Sequence, residues 1–468
     1  MEIEDTAVFK EIKEVIDEGP KPIASYYKAI VHTEKGDYEV TKVVDIQINR
    51  DYIGATGDDF RLTALIPLGM WAVDIFPYIK EIEISLIKKP LIEIGDHEDE
   101  EKEIETMRFI ATVDPDKMPV ISGRDIAKLK KTELDLRDIF EIEFQLHEKV
   151  LYSLCLRTYS GVFRRKTPES IIKYVLASES AKIKADEDSS CKGVDIVESD
   201  NKDPREHIII PNGTNIVDVP MYLHRNGGGV YNTGMASYYQ NRYWFVYPLW
   251  NTKRFDDAGK TLVIVKVPVF RFTGIERTYR EEGDSVYVLA TSNAELSDDA
   301  YTNFSNMGNG SRFADSRLFV RDFSEIKDNK SISKRGENNH EFLSVDRGEE
   351  RNTVYFSRQR INANPYVERS GLASRKGCTY LFNWENSNPD LLIPGMMCKI
   401  YYMEEDTLME LVGVLLANST SKQMTGQGLT TKRHVTTTNL LIFANPSESE
   451  VVEDEEKDEE DWTEYESV

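Results

Sequence analysis

The sequence predicts a mainly β protein with few α-helices, and two observations support this. Apolar and polar residues alternate with a period of two in many segments, as in IFEIEFQL (139–146), where Glu141, Glu143 and Gln145 separate the apolar residues. Helical periodicity, by contrast, is rare. A period of two is typical of half-buried antiparallel strands, because successive side chains point to opposite faces of the sheet.

The first well-defined pair of strands is EIEISLI (81–87) and TMRFIATV (106–113). Between them lies the charged stretch GDHEDEEKE (95–103), which is typical of a solvated connection. We therefore expect a long hairpin with this stretch outside the sheet.

The clearest helix comes after RRKTPES (164–170). Thr167 is suited to the N-cap and Pro168 to the first helical position. The apolar face of this helix is formed by Ile171, Ile172, Val175 and Leu176.

Strands return late in the chain at TLVIVKVPVFRF (261–272), CKIYYM (398–403), ELVGVLLA (410–417) and TTNLLIFA (437–444). The polar tract 292–364, rich in Asn and Asp, predicts an insertion with long loops.

Residues 207–250 combine consecutive glycines, Gly227, Gly228 and Gly229, with a dense band of aromatic residues. A phosphate cradle would need these glycines between a strand and a helix, whereas the segment 230–248 is typical of two strands joined near 240–242. The alternative is a short helix, capped by Asp218 and tolerating Pro220 early, that stops at the glycines.

The aromatic band predicts a hairpin with Tyr243, Phe245 and Tyr247 on one face and Trp244 and Val246 on the other. Its rings could form a platform for carbohydrate, although aromatic residues in a hairpin more often belong to a core or an interface.

The net charge of −24 over 468 residues counts against wrapping a nucleic-acid backbone, which requires Lys and Arg facing the phosphates. Twelve acidic residues and one lysine lie between Glu448 and the end, so −11 of the charge belongs to this segment. Such a composition predicts a solvated, disordered tail, with a docking or lumen-facing role as the alternative.

The four cysteines, Cys155, Cys191, Cys378 and Cys398, are scattered, which is typical of reduced packing residues. The sequence shows neither the pattern of a signal peptide nor an apolar run long enough to span a bilayer. We expect a protein made in a reducing cytoplasm, without membrane insertion.

The sequence offers no positive evidence for an enzyme, and we predict no catalytic, cofactor-binding or metal-binding residues. The histidines lack an H-E-x-x-H pattern, and no G-x-S-x-G elbow is present. Cys155 falls in a predicted strand without a neighbour that would activate it.

The order of segments resembles the baseplate hub protein of contractile-tailed bacteriophages of the T-even type. The stretches that carry this resemblance are 61–91, 105–116, 140–176, 207–250, 261–279 and 306–316. The resemblance implies two interleaved tail-tube-like β-barrel domains, the first comprising 1–135 and 206–255 and the second comprising 136–205 and 375–445. It leaves 256–374 as an inserted domain with long loops and 446–468 as the acidic tail.

The resemblance also implies a structural virion protein, a homotrimer that joins a hexameric tail tube protein above to a trimeric central spike protein below. Other baseplate proteins would surround it, and DNA would pass through its lumen without specific binding. Tyr243, Trp244, Phe245 and Tyr247 are then structural or interface candidates, together with the three glycines. A receptor-binding or glycan-binding β module, and a wall-degrading tail enzyme, stay open as alternatives.

Overall fold

The computed structural model describes most of the chain outside its long polar and acidic segments. The described residues are 7–20, 25–80, 82–90, 105–113, 139–183, 185, 189–268, 276–292, 332–334, 343–345, 366, 369–370, 373–374, 377–404, 407–425 and 434–451.

Strands predominate, as predicted, and helices are few. The helices are α1 (Ala7–Glu18), α2 (Leu68–Met70), α3 (Lys149–Cys155), α4 (Pro168–Ala181) and α5 (Val219–Asn226). None of the described helices is long and apolar enough to cross a membrane.

Twelve of the described strands lie within the first 248 residues. They are β1 (Ser25–Thr33), β2 (Gly36–Glu39), β3 (Lys42–Asp51), β4 (Asp59–Pro67), β5 (Ile82–Pro90), β6 (Glu105–Val113), β7 (Ile139–His147), β8 (Thr158–Lys166), β9 (Gly193–Ile196), β10 (Arg205–Asn215), β11 (Met235–Gln240) and β12 (Tyr243–Pro248).

The remaining described strands come from the second half. They are β13 (Thr261–Lys266), β14 (Tyr279–Glu282), β15 (Ser285–Ala290), β16 (Ile332–Lys334), β17 (Leu343–Val345), β18 (Cys378–Glu385), β19 (Met397–Glu404), β20 (Thr407–Met424), β21 (His434–Ala444) and β22 (Glu450–Val451).

A first ring of strands runs in the order β20, β3, β4, β7, β6, β5, β1, β21 and back to β20. In this ring β1 and β21 are joined by a single residue pair, Ser25 with His434. The inward-facing residues alternate along each strand, so that Ile142, Phe144 and Leu146 of β7 are buried together with Ile84 of β5. The alternation predicted for 139–146 and the hairpin of β5 and β6 are confirmed.

A second ring runs in the order β20, β19, β13, β15, β18, β21 and back to β20. β15 and β18 meet in an isolated bridge between Thr291 and Asn383, whose backbone hydrogen bonds measure 2.9 and 2.7 Å. Its core is a separate cluster that includes Leu262, Trp384 and Ile442.

β20 and β21 belong to both rings. The early part of β20 pairs with β19, and its later part, from Ala417 onward, pairs with β3. On its other edge β20 pairs with the whole length of β21, from Gly413 onward. The change of partner coincides with a β-bulge between Leu415 and Ala417. One long hairpin is therefore common to two cores, and the bulge accommodates the change of direction.

A third, helical unit lies beside the rings. It contains α3, α4 and α5, a ribbon of β8 and β10, and a sheet in which β12 pairs with β11 and, in parallel, with β9. The Thr167 hydroxyl accepts a hydrogen bond from the Ser170 N–H at 3.3 Å, so the predicted N-cap of α4 is confirmed.

The strand pairing differs from the predicted division of the chain in three places. β7, assigned to the second domain, pairs with β4 and β6 of the first ring. β13 and β15, assigned to the insertion, belong to the second ring. The hairpin of β11 and β12 lies in the helical unit rather than in the first barrel, because β20 and β21 already close the first ring. The division into domains stays a prediction.

Three local expectations also change. Cys155 ends helix α3 rather than lying in a strand. Asp218 makes no side-chain capping bond, because the helical turn Ile216–Asp218 runs directly into α5. Residues 446–451, predicted to belong to a disordered tail, form a helical turn and strand β22, which pairs with β20. Residues 452–468 and most of the predicted insertion lie outside the described residues.

Candidate functional site: a charged cavity between the first ring and the helical unit

A cavity of about 550 Å³ opens where the first ring meets the helical unit. Its walls are the end of β3, the start of β4, the end of β7, the first half of β6, one side of α3, and the turn of the β11–β12 hairpin. Ser189, Lys192, Asp390 and Lys422 complete the lining. We call this space the junction cavity.

The ion pair between Arg50 and Asp58 is the most buried charged contact in the junction cavity. The Arg50 Nε donates to Asp58 Oδ2 at 3.0 Å, and its Nη1 donates to the Pro389 carbonyl at 3.1 Å. The Tyr238 hydroxyl donates to the other carboxylate oxygen of Asp58, also at 3.0 Å. Burial, the largest influence, acts to lower the pKa of Arg50, but the charge and hydrogen bond of Asp58, with smaller contributions from Tyr52 and Asp390, together outweigh it and the pKa is raised. These contacts join β3, β11 and the segment before β19.

A network of hydrogen-bonded polar side chains extends from this ion pair into the protein. The Tyr52 hydroxyl donates to Gln240 Oε1 at 2.9 Å and accepts from Asn418 Nδ2 at 2.8 Å. Gln240 Nε2 donates to the Leu392 carbonyl at 2.7 Å, and the Tyr247 hydroxyl donates to the Tyr52 carbonyl at 3.2 Å. These buried contacts connect the first ring, the second ring and the hairpin through hydrogen bonds, which buried polar groups require.

Glu148 lies at the N-cap position of α3 without making a side-chain capping bond. Burial in the cavity wall, with the nearby Asp58 charge second, raises the pKa of Glu148 to about 8. The Arg50 charge and a hydrogen bond from the Arg242 backbone act in the opposite direction but are weaker. Glu148 therefore carries a proton at neutral pH, and its ionisation would place a second negative charge near Asp58.

The far side of the cavity holds a second group of charges. Lys422 is 4% exposed, and its Nζ donates to the Tyr27 hydroxyl at 3.1 Å. Lys88 Nζ lies 3.5 Å from Asp390 Oδ2. Burial acts to raise the pKa of Asp390, but the charges of Lys422, Lys88 and Arg50 together hold it below its usual value. Burial raises the pKa of Glu105, and Asp390 adds to that rise.

The described lining residues do not form a nucleophile with an activating base. Burial, and then the charge of Asp218, raises the pKa of the Cys155 thiol, which disfavours the reactive thiolate. Burial lowers the pKa of His147. Among the described residues, no group of three or more His, Cys, Asp or Glu is placed to hold a metal ion. The geometry is that of a charged joint between folding units.

The aromatic residues singled out from the sequence do form a hairpin. Gln240 pairs with Tyr243 across a turn in which Asn241 and Arg242 have φ of 51° and 71°, as a two-residue hairpin turn requires. Trp244 is fully buried and its Nε1 donates to Ser180 Oγ at 3.1 Å.

The two faces of this hairpin pack on different cores. Trp244 belongs to the core of the helical unit, whereas Tyr247 belongs to the core of the second ring, with Phe245 packed against that core. Tyr243 is 39% exposed. The predicted separation of faces is confirmed, and the hairpin holds two units of the same chain together. A role of these rings in contacts between chains stays a prediction.

The glycines come directly after helix α5, which ends at Asn226, so the helix-stop interpretation is confirmed and a phosphate cradle at the start of a helix is wrong. Gly227 itself is not left-handed; the positive φ values are 120° at Gly228 and 87° at Gly229. A Cβ on Gly228 would lie 2.2 Å from Arg205 Nε, and one on Gly229 would lie 2.4 Å from the Tyr366 ring. Both positions therefore need glycine for backbone conformation, and Gly229 needs it for space as well, whereas the exposed Arg205 side chain beside Gly228 can move.

The sequence did not single out the residues of the junction cavity. One signal was available, because Arg50 comes after Ile46 and Ile48 at a period of two and so falls on the inward face of β3. Lys422 similarly comes after Thr420 on an inward face of β20. A charge on the buried face of a strand indicates a paired site.

No family model and no curated protein matches this chain. The 43 kDa tail protein of prophage MuSo2 from Shewanella oneidensis matches with a TM-score of 0.42 and 10% identity, over 88% of this chain and 98% of that one. A chain of the Francisella PdpA–VgrG complex matches with a TM-score of 0.37 and 10% identity, over 100% of this chain and 63% of that one. Neither similarity is close enough to transfer a function to this chain.

Proposed function

We propose that this chain is a structural virion protein without enzymatic activity, a baseplate hub of a contractile tail. In this role it joins a hexameric tail tube to a trimeric central spike, lines the channel for DNA, and contacts other baseplate proteins. It is made in the host cytoplasm and functions in the virion.

The observation that carries the proposal is the presence of two strand rings in one chain, fused through β20 and β21. Three copies related by a threefold axis bring six rings around that axis, while the assembly as a whole keeps threefold symmetry. Such an assembly has the symmetry needed to contact a hexamer on one side and a trimer on the other. The segment order that resembles hub proteins supports the same role.

To contact a hexamer on one side and a trimer on the other, the two rings of each chain must keep a fixed position relative to each other. The shared strands provide a covalent connection, and the buried contacts of Tyr52, Gln240 and Asn418 add a hydrogen-bonded one. Because the strands of each ring pair with one another, copies would associate through side chains on the outer faces.

The net negative charge of the chain is compatible with a protein that lines a channel for DNA. Carboxylates facing a lumen repel phosphates, so a passing genome would not adhere to the wall.

The glycan-binding alternative has less support from the hairpin. Trp244 and Tyr247 are buried, which leaves mainly the ring of Tyr243 accessible for stacking on a sugar.

Reconstruction of the intact particle by electron cryomicroscopy tests the proposal. We expect three copies of this chain around an open axis, with two rings from each copy alternating on the tube-facing side. Six copies per ring, a position away from the axis, or one ring per copy around the channel would overturn it. The mass in dilute solution is a poor test, because assembly depends on protomer concentration.

A further inference from the structure

The two-stranded ribbon of β8 and β10 has one buried and one open face. Phe163 and Ile208 pair across the ribbon and pack towards the core of the helical unit. Val162 and Ile209 also pair, but on the opposite face, and are 63% and 60% exposed. Neither strand of the ribbon pairs with another described strand. The open face therefore carries aliphatic surface that nothing in the described part of the chain covers.

The same face is basic. Arg164 and Lys166 come after Val162 at a period of two, and His207 pairs with Arg164 across the ribbon. All three are exposed, as is the neighbouring Arg165. Arg164, Arg165 and Lys166 form no ion pair with any described residue. We call the surface formed by Val162, Arg164, Lys166, His207 and Ile209 the basic ribbon face.

A segment with the complementary composition lies at the end of the same chain. Residues 452–468 contain ten acidic residues and one lysine, together with Trp462 and Tyr465. They follow Val451, whose position is fixed by the pairing of β22 with β20. Extended, 17 residues reach roughly 56 Å, at about 3.3 Å each. A compact chain of 468 residues has a radius of gyration of roughly 23 Å. The segment is therefore long enough to reach much of the surface of its own protein.

We propose that the basic ribbon face binds the acidic C-terminal segment 452–468 of its own chain. Carboxylates of the segment pair with Arg164 and Lys166, and its aromatic residues cover Val162 and Ile209. Attachment to the same chain raises the effective concentration of the segment to roughly the millimolar range, which favours binding within one chain over binding between copies. Since exposed ion pairs are screened by salt, the contact is reversible and salt-sensitive.

Carbodiimide cross-linking of the full chain, combined with mass spectrometry, tests this contact directly. We expect cross-links between carboxylates of 453–466 and the amine of Lys166, at monomer mass, in low salt. They should disappear in about 1 M salt, where the Debye length falls to about 3 Å. Lys166→Arg should abolish the cross-link while retaining the charge.

A second measurement does not depend on the cross-linking chemistry. The double variant Arg164→Glu with Lys166→Glu should accelerate cleavage of the segment by a glutamate-specific protease about tenfold in low salt, because two exposed ion pairs are replaced by repulsion. Lys13→Glu with Lys80→Glu makes the same charge change at exposed positions elsewhere and should leave the cleavage rate unchanged. Both variants change exposed side chains, and equal melting temperatures would verify that they fold.

Three outcomes would overturn the proposal. Cross-links that map to other lysines would place the segment elsewhere, and cross-links seen only in dimers would show binding between copies. Binding of duplex DNA to the ribbon of the full chain, lost in the double Glu variant, would identify the basic ribbon face as a nucleic-acid surface instead.

Discussion

Replacing Glu148 by Gln should change how the stability of this protein depends on pH. The carboxyl of Glu148 lines the junction cavity, and burial together with the Asp58 charge raises its pKa to about 8, from the ordinary value of 4.5. Between these two values the unfolded chain releases the proton while the folded chain retains it. The free energy of unfolding should therefore fall as pH rises from about 4.5 to about 8, and level off above that.

The magnitude depends on the size of the shift. Each pKa unit corresponds to about 1.4 kcal/mol, so the full shift would cost roughly 5 kcal/mol across the window. The side chain is partly reached by water in the cavity, which reduces the cost to about 2 kcal/mol. Glu148→Gln removes the titrating group, so at pH 8 the variant should gain about 2 kcal/mol relative to the wild type, compared with their difference at pH 5.

Urea unfolding at several pH values between about 5 and 8.5 measures this difference. Glu141→Gln is the matched control, because Glu141 is exposed on the neighbouring strand β7. Its curve should run parallel to that of the wild type. If the Glu148→Gln curve also runs parallel to the wild type, the carboxyl is not held protonated and the reasoning about the cavity is wrong.

Three further predictions concern the joints between units. Trp244→Ala should lower the free energy of unfolding by about 3–5 kcal/mol in urea titrations, because it empties a fully buried site. Arg50→Met should cost about 3–5 kcal/mol by leaving the Asp58 charge unpaired, and adding Asp58→Asn should recover part of that loss. Truncation after Val451 should leave the melting temperature unchanged, whereas truncation after Asn445 should lower it, because β22 and the turn before it would be lost.

Local features of this fold could be predicted from the sequence because neighbouring residues determine them. The cap at Thr167, the alternation in 139–146 and the stop of α5 before the glycines depend on a few adjacent positions. Asn241 and Arg242 form the hairpin turn where the two strands were expected to join. In each case the local pattern and the final structure agree.

Pairing between distant strands could not be read from alternation, since a period of two predicts a strand without naming its partner. β20 extends to eighteen residues and changes partner at its bulge, which allows it to close both rings. The aromatic hairpin, expected in the first barrel, pairs with β9 instead. The junction cavity was missed for the same reason, because Arg50, Glu148 and Lys422 come together only through these long-range pairings.

The point where β20 changes rings is also the point where the polar joint begins. The backbone N–H of Tyr52 donates to the carbonyl of Leu416, the bulged residue, at 3.0 Å. Its hydroxyl then binds Asn418 on β20 and Gln240 on the hairpin. Because these groups are buried, loss of one partner leaves a polar atom of its neighbour without one of its hydrogen bonds, which costs more than the lost bond itself. The first ring, the second ring and the helical unit are therefore held in one arrangement cooperatively, which the proposed hub function would require.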